Sequence, residues 1–78
     1  MFSQFQKKIL RECYSHYLET NSREYTFVAK NGDDLVHAAN SFPVLERDGY
    51  ISNLVERAFS YNFTIEDSLI SYMEQGEL

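Results

Sequence analysis

The residue types that most often carry chemistry are few in this chain, which has one cysteine and two histidines. Cys13 and His16 are three residues apart, so a helix would make them neighbours. A structural zinc site normally needs four ligands, and a reactive cysteine needs exposure and a nearby base. Cys13 falls on the apolar side of a predicted helix, where cysteine behaves as a small hydrophobic residue. We therefore expect neither a metal site nor a reactive thiol at this position.

Two pairs of adjacent acids, Asp33-Asp34 and Glu66-Asp67, are the other candidates for acid–base catalysis or for binding a divalent cation. Both pairs stand at predicted helix starts, where carboxylates stabilise the positive end of the helix dipole. His37 has no implied serine or cysteine nucleophile beside it. The sequence also lacks a glycine-rich phosphate loop and a dinucleotide-binding motif. We predict that the protein is not an enzyme and uses no cofactor, metal or small-molecule substrate.

The charge balance bears on nucleic-acid binding. Twelve acidic and seven basic residues give a net charge of −5, which on average repels a phosphate backbone. One basic cluster stands against this trend, because Lys7, Lys8 and Arg11 are close together and Lys7 and Arg11 share a helix face. This cluster is either a solvated face or a contact for phosphate or an acidic partner.

Aromatic residues are abundant, with six Tyr and six Phe among 78 residues. Tyrosine and phenylalanine in excess of what a core requires are typical of protein contact surfaces. A small domain also often gains stability by pairing. We therefore predict a protein partner or a homodimer, although the same rings can instead form the core. The candidate interface residues are Tyr14, Tyr17, Phe59, Tyr61 and Tyr72.

The elements that must position these residues follow from local patterns. A chain of this length forms one domain, residues 1–78, with a single small core. Apolar residues at three- and four-residue steps predict a helix over 3–18, capped by Ser3 and ended near Asn21. Residues 25–28 are aromatic and β-branched and predict a short strand. Asn31-Gly32 then predicts a turn.

Residues 33–51 have the pattern of a helix, a tight turn, a second short helix and the start of a strand. Asp33 or Asp34 can cap the first of these helices, and Asn40-Ser41 should break it. The second helix must be short, because Pro43 is tolerated only in a first helical turn. Gly49 is well placed as its left-handed stop.

The region from 52 to 65 allows two interpretations. The alternation of Tyr61, Phe63 and Ile65 favours a hairpin, whereas the spacing of 54, 55, 58 and 59 fits a helix and an all-α interaction domain. We favour the hairpin, because the segment 61–65 has poor helix propensity. A capping box at 64–67 then predicts a last helix, which Gly76 can end.

Two stretches resemble the winged helix-turn-helix superfamily. Residues 45–51, LERDGYI, look like the junction between a recognition helix and the first wing strand, and residues 63–73 look like the second wing strand and the closing helix. The order of parts is similar to small YjcQ-like proteins of Gram-positive bacteria and their phages. The resemblance implies an α+β, small winged-helix-like domain with three N-terminal helices, a short β-hairpin wing and a closing C-terminal helix.

Two functions follow as expectations. The first is a non-enzymatic regulatory module that acts through protein–protein contacts, in gene regulation or in a mobile element. The alternative is a DNA-binding transcriptional regulator that uses the helix-turn-helix and the wing. Its contacts would come from Ser41, Arg47, Arg57, Lys7, Lys8 and Arg11. A single cysteine, no signal peptide and no apolar run of membrane-spanning length predict a cytoplasmic protein without membrane contact.

Overall fold

The computed structural model describes residues 2–77 and shows an α+β fold. Within that range the chain forms three helices and one antiparallel sheet of three strands. None of the helices in this range is long and apolar enough to cross a membrane. In chain order the elements are α1 (Gln4–Thr20), β1 (Glu24–Val28), α2 (Gly32–Arg47), β2 (Ile51–Glu56), β3 (Ser60–Ile65) and α3 (Asp67–Tyr72). A wider helical turn, Met73–Glu77, follows α3, and Gly76 within it has a φ of 87°.

The helix α1 begins and ends as the sequence predicts. Ser3 and Gln6 form a reciprocal capping box, in which each side chain accepts a hydrogen bond from the other residue's backbone N–H. Asn21 ends the helix in the left-handed conformation, with a φ of 58°. The apolar side of the helix buries Ile9, Leu10 and Cys13, which confirms the predicted amphipathic pattern.

The helix α2 differs from the prediction, because residues 32–47 form one continuous helix in place of two helices joined by a turn. Its cap is Asn31, whose side chain accepts from the Asp34 N–H at 2.9 Å, and neither Asp33 nor Asp34 is the cap. Both acids lie in the first turn, where they suit the helix dipole as expected. Two helices therefore precede the hairpin in the described residues, where three were predicted.

The helix continues through Pro43 because of packing. Proline has no N–H to donate to the carbonyl four residues earlier, which belongs to Ala39. Both Pro43 and Ala39 are exposed, so water can hydrate that carbonyl. On the opposite side, Phe42 and Leu45 are fully buried. Burial of these two side chains favours helix over a break at Asn40-Ser41, since tertiary packing usually outweighs local propensity.

Gly49 ends α2 as predicted. It adopts the left-handed conformation with a φ of 86°. Its N–H donates to the Glu46 carbonyl at 3.1 Å, and the N–H of Tyr50 donates to the Leu45 carbonyl at 3.0 Å. This pair of bonds is the Schellman arrangement. It turns the chain directly from α2 into β2.

The sheet has the order β1-β3-β2, so β3 is central and β1 and β2 are edges. The predicted strand at 25–28 and the predicted hairpin are both confirmed, and the all-α alternative is wrong. The central pairs are Tyr25 with Phe63 and Phe27 with Tyr61. Inward-facing residues of β3 are buried and the residues between them are not. The three helices therefore cover one face of the sheet and leave the other uncovered in the described residues.

A bulge interrupts β2. Ser52 pairs with Thr64 and Val55 pairs with Asn62, so two residues, Asn53 and Leu54, lie opposite one. Asn53 has a φ of 55°. The bulge breaks the simple alternation of a strand, because Leu54 packs against the core while Val55 is 46% exposed.

The start of α3 also differs from the prediction. Thr64 belongs to β3, and its hydroxyl donates to the Glu24 carboxylate at 2.9 Å, so it does not cap the helix. Glu66 occupies the cap position without a side-chain cap bond. Contacts from neighbouring elements hold α3 in place: Asp67 pairs with Arg23 at 2.7 Å, and the Ser68 hydroxyl donates to the Gly49 carbonyl.

Phe42 lies at the centre of the core. Its ring centroid is 5.4 Å from that of Phe27, 5.0 Å from that of Tyr61 and 5.1 Å from that of Phe63. The inner face of the sheet and the buried side of α2 therefore meet at this ring. Much of the aromatic content of the chain is used here, which limits what remains for a surface.

Candidate protein-interaction surface

The predicted DNA-contact residues do not form one surface around a recognition helix. Ser41 is 5% exposed on the buried side of α2, so it is not available to a nucleic acid. Arg47 is exposed in the last turn of α2 and pairs with Asp48 at 3.5 Å. Arg57 is exposed in the hairpin loop. The remaining three candidates, Lys7, Lys8 and Arg11, are exposed on α1 and have no ion-pair partner among residues 2–77.

The predicted interface aromatics divide into three groups by burial. Tyr61 is 2% exposed and belongs to the core, so its burial removes it from the interface candidates. Tyr14, Tyr17 and Tyr72 are half-buried and pack against the core. Phe59 is different, because it is 65% exposed in the hairpin loop. Of these five aromatics, Phe59 alone is a largely exposed side chain.

The cysteine and the two histidines pack against neighbouring residues. Cys13 is fully buried, and burial together with the nearby Glu12 carboxylate raises the pKa of its thiol to about 12. The His16 ring packs edge-on against Tyr25 at 5.2 Å, and the His37 ring stacks on Phe5 at 5.3 Å. Across the described residues, no three His, Cys, Asp or Glu side chains form a group that could hold a metal ion.

The outer edge of β1 leaves part of its backbone unpaired. The N–H of Ala29 donates to Phe59 and the N–H of Ile65 donates to Arg23, so odd-numbered residues of β1 bond to β3. The backbone groups of the even-numbered residues therefore point away from the sheet. Two of these N–H groups bond to nearby side chains, that of Glu24 to Ser22 and that of Lys30 to Asp34.

The backbone groups of Thr26 and Val28 remain. Within the described residues, neither backbone makes a hydrogen bond on the outer side of the strand. Unpaired N–H and C=O groups in a row are a template for pairing with another strand. The edge of β1 can therefore accept an extended segment of a protein.

A groove of about 370 Å³ runs along this edge between β1 and α1. We call it the edge groove. Its walls come from α1, from the strand itself and from the segment that leads into α2. The residues that line it are Lys8, Glu12, Tyr25, Thr26, Phe27, Val28, Lys30 and Asp34.

The charges of the edge groove are arranged along the strand. The Tyr25 hydroxyl donates to the Glu12 carboxylate at 3.4 Å, so Glu12 lies near the start of β1. Burial and the Glu12 carboxylate raise the pKa of Tyr25 to about 12, so its hydroxyl keeps its proton at neutral pH. Phe5, one turn before Lys8, contacts Phe27 near the end of β1. The helix α1 thus runs antiparallel to β1, with Lys8 toward the end of the strand.

Exposed apolar side chains adjoin the same edge. Val28, at the end of β1, is 59% exposed. The next residue, Ala29, donates its N–H to the carbonyl of Phe59 at 2.8 Å, which brings the hairpin loop beside the end of β1. The backbones of Val28 and Phe59 thus lie close together, with Val28 in the edge groove and Phe59 on the side of β1 that faces β3. Leu18 and Val36 are as exposed, but each lies on a helix and not on a strand.

Sequence reasoning did not identify most of this surface. Val28, Thr26, Lys30 and Glu12 were not among the predicted interface residues. A signal was present, since the strand 24–28 contains no proline, glycine or lysine that would protect an edge. The sequence cannot reveal that β1 is an edge strand, because strand order depends on long-range pairing.

Comparisons of the chain with protein-family models, with curated proteins and with solved structures give no match. The resemblance to winged-helix proteins therefore remains a prediction from the sequence motifs.

Proposed function

We propose that this protein is a non-enzymatic, small winged-helix-like module that acts in regulation through protein–protein contacts. The order helix, strand, helix, hairpin, helix supports this architecture, with one long α2 in place of the two predicted helices. In this proposal the hairpin formed by residues 51–65 serves as the wing and α3 serves as the closing helix.

One observation carries the proposal: the open edge of β1 with its unpaired backbone groups, beside exposed Val28 and Phe59. Strand addition to such an edge is a common mode of peptide and protein recognition, in which backbone hydrogen bonds supply affinity. The apolar side chains at its end would be covered by the partner.

The alternative is DNA binding, and the exposed cluster Lys7, Lys8 and Arg11 is the observation in its favour. Against it stand the net charge of −5, the burial of Ser41 and the absence, within residues 2–77, of a separate recognition helix. A DNA-binding protein would bind mixed-sequence duplex with an affinity that falls steeply with salt. Fluorescence anisotropy at low and moderate salt measures this directly.

Site-specific photo-crosslinking in cells tests the proposed function. A photo-reactive amino acid replaces Val28 in one variant and Val36 in a control, because these residues are 59% and 60% exposed. The proposal expects covalent adducts with protein from position 28 and few or none from position 36. Equal yields at both positions, or adducts with nucleic acid alone, would contradict it.

A second pair of variants distinguishes an effect on the contact surface from an effect on the stability of the fold. Phe59→Ser and Leu18→Ser each remove one exposed apolar side chain, 65% and 62% exposed. Both should change the free energy of unfolding by less than about 0.5 kcal/mol, because surface substitutions rarely do more. Only Phe59→Ser should lower the crosslink yield at position 28. An equal loss from Leu18→Ser would show that the hairpin loop has no special part in the contact.

A further inference from the structure

The two edges of the sheet are protected to different degrees. The edge strand β2 is bent by the bulge at Asn53 and Leu54, and the Leu54 N–H is bonded to the Glu46 carboxylate at 3.0 Å. Bulges of this kind discourage pairing with a further strand. The edge strand β1 is regular over all five residues. Any added strand should therefore join β1 and not β2.

The charges beside β1 are separated along its length. Glu24 stands at its start, and Glu12 of α1 lies at the same end through the bond from Tyr25. Lys30 follows the other end of the strand, and Lys8 of α1 lies toward that end. None of these four charges has an ion-pair partner among the described residues.

Asp34 also lies at the Lys30 end, where its carboxylate accepts from the Lys30 N–H. Arg23 at the other end is paired with Asp67. The end at Glu24 therefore has two carboxylates without an ion-pair partner among residues 2–77, whereas the end at Lys30 has two ammonium groups and one carboxylate. The balance of charge is thus negative at one end and positive at the other.

This separation of charge along β1 indicates which partner strand fits the edge. A strand that pairs antiparallel with β1 and carries the same charges would place its negative end beside the positive end of β1. A second copy of the chain meets this requirement without any further assumption, because a two-fold axis reverses the direction of the strand. A parallel arrangement of two copies would instead bring like charges together, which is destabilising.

The backbone of β1 also determines which residues of the two copies lie opposite each other. The residues whose backbone groups point outward are Glu24, Thr26 and Val28, and this set is symmetric about Thr26. Full overlap of two copies therefore centres the axis on Thr26, with Glu24 opposite Val28 of the partner. Glu24 is then diagonal to Lys30 of the second copy, within reach of long side chains. In the same arrangement, Lys8 of one α1 helix would face Glu12 of the α1 helix of the second copy.

We propose that β1 pairs antiparallel with β1 of a second copy about a two-fold axis at Thr26, which joins the two sheets into one. The proposal rests on the proposed function, since it names the first partner of the β1 edge. Homodimerisation by this route would also cover the unpaired backbone of Thr26 and bring the exposed Val28 residues to the same interface.

Thr26→Pro tests the backbone part of the interface. Proline removes the outward N–H of residue 26, which β1 does not use for bonding to β3, and an edge strand tolerates it. The control is Glu56→Pro on β2, which also removes the carboxylate that accepts from the Tyr61 hydroxyl at 3.4 Å. The Arg57 N–H donates to the Ser60 carbonyl, and backbone N–H groups alternate in direction along a strand. The N–H of residue 56 therefore also points away from β3.

Sedimentation velocity from micromolar to millimolar protein measures the dimer dissociation constant. Thr26→Pro should raise it by at least about tenfold through the loss of two hydrogen bonds per dimer. Glu56→Pro should leave it unchanged. Circular dichroism should show the same folded spectrum for the parent chain and for both variants at the concentration used.

Charge exchange gives a second test that does not depend on proline. Lys30→Glu and Glu24→Lys should each raise the dissociation constant about threefold or more by placing like charges together. The double variant with both substitutions should return it toward the parent value. High salt should reduce all three differences, because screening weakens exposed pairs.

The outcomes separate this inference from the proposed function. A chain that stays monomeric up to millimolar concentration overturns the dimer, and so does a dimer that Thr26→Pro leaves unchanged. If position 28 then still crosslinks to a different protein, the proposed function stands without the dimer. If the chain is monomeric and position 28 captures no protein, both fail. Loss of the dimer with Thr26→Pro and recovery in the charge-exchange double variant support the inference.

Discussion

Gly49→Ala is a clean test of the junction that carries the chain from α2 into the sheet. Gly49 has a φ of 86°, in the left-handed region where a Cβ atom costs about 1–2 kcal/mol. A Cβ atom built there meets no heavy atom within 4 Å. The whole cost is therefore conformational, and we expect the free energy of unfolding to fall by about 1–2 kcal/mol. For a domain of this size the melting temperature should fall by roughly 5–15 °C.

Gly32→Ala is the matched control for this prediction. Gly32 opens α2 without a left-handed φ, and a Cβ atom there also meets no heavy atom within 4 Å. Alanine should stabilise this position by up to about 1 kcal/mol, because it favours helix and restricts the unfolded chain. Urea denaturation followed by circular dichroism measures both variants. Equal effects at the two glycines, or a neutral Gly49→Ala, would refute the argument that backbone conformation fixes this junction.

The remaining predictions concern the core, the pH dependence and the bulge. Phe42→Ala should lower the free energy of unfolding by about 3–5 kcal/mol, because its ring is fully buried among three others, and urea denaturation measures the loss. The free energy of unfolding should also fall as pH rises above about 9, since an unfolded Cys13 ionises at its ordinary pKa of 9.0 while burial raises the folded pKa to about 12. In Cys13→Ala the fall should begin only near pH 10, the ordinary pKa of Tyr25, because burial also raises the pKa of this tyrosine in the folded protein. Urea denaturation from about pH 8 to 11 measures the pH at which stability begins to fall, and the same pH in the parent chain and in the variant would contradict this prediction. Glu46→Ala should speed amide exchange at Leu54 and cost about 0.5–1 kcal/mol, while Glu46→Gln keeps an acceptor and should cost less.

Local patterns predicted the elements whose cause is itself local. The Ser3 cap, the end of the first helix near Asn21, the left-handed stop at Gly49 and the alternation of Tyr61, Phe63 and Ile65 depend on residues close in sequence. The structure confirms each of these features. The same holds for the burial of Cys13, which follows from its place on the apolar side of α1.

The features that were missed depend on distant contacts. Asn40, Ser41 and Pro43 are locally unfavourable for helix, and only the packing of Phe42 and Leu45 against other elements makes α2 continuous. Thr64 looks like a helix cap, but pairing with β1 keeps it in a strand.

The candidate surface was missed for a related reason. Exposure of Val28 and of the Thr26 backbone follows from the position of β1 at the edge of the sheet, and sequence alone does not give strand order. Phe59 was the exception, because the excess of aromatic residues had already placed it among the predicted interface residues. It is 65% exposed and lies beside the end of β1.

Amide hydrogen exchange in β1, followed residue by residue by NMR, tests most directly whether the edge of β1 is the contact surface for a protein. At high dilution, the amides of Tyr25 and Phe27 should be protected by β3, while those of Thr26 and Val28 should exchange quickly. At high protein concentration, all four should be protected. Rapid exchange of Thr26 and Val28 at every protein concentration would argue against the pairing of two copies. If these amides also exchanged rapidly in the presence of any protein crosslinked from position 28, the edge of β1 would not be the contact surface.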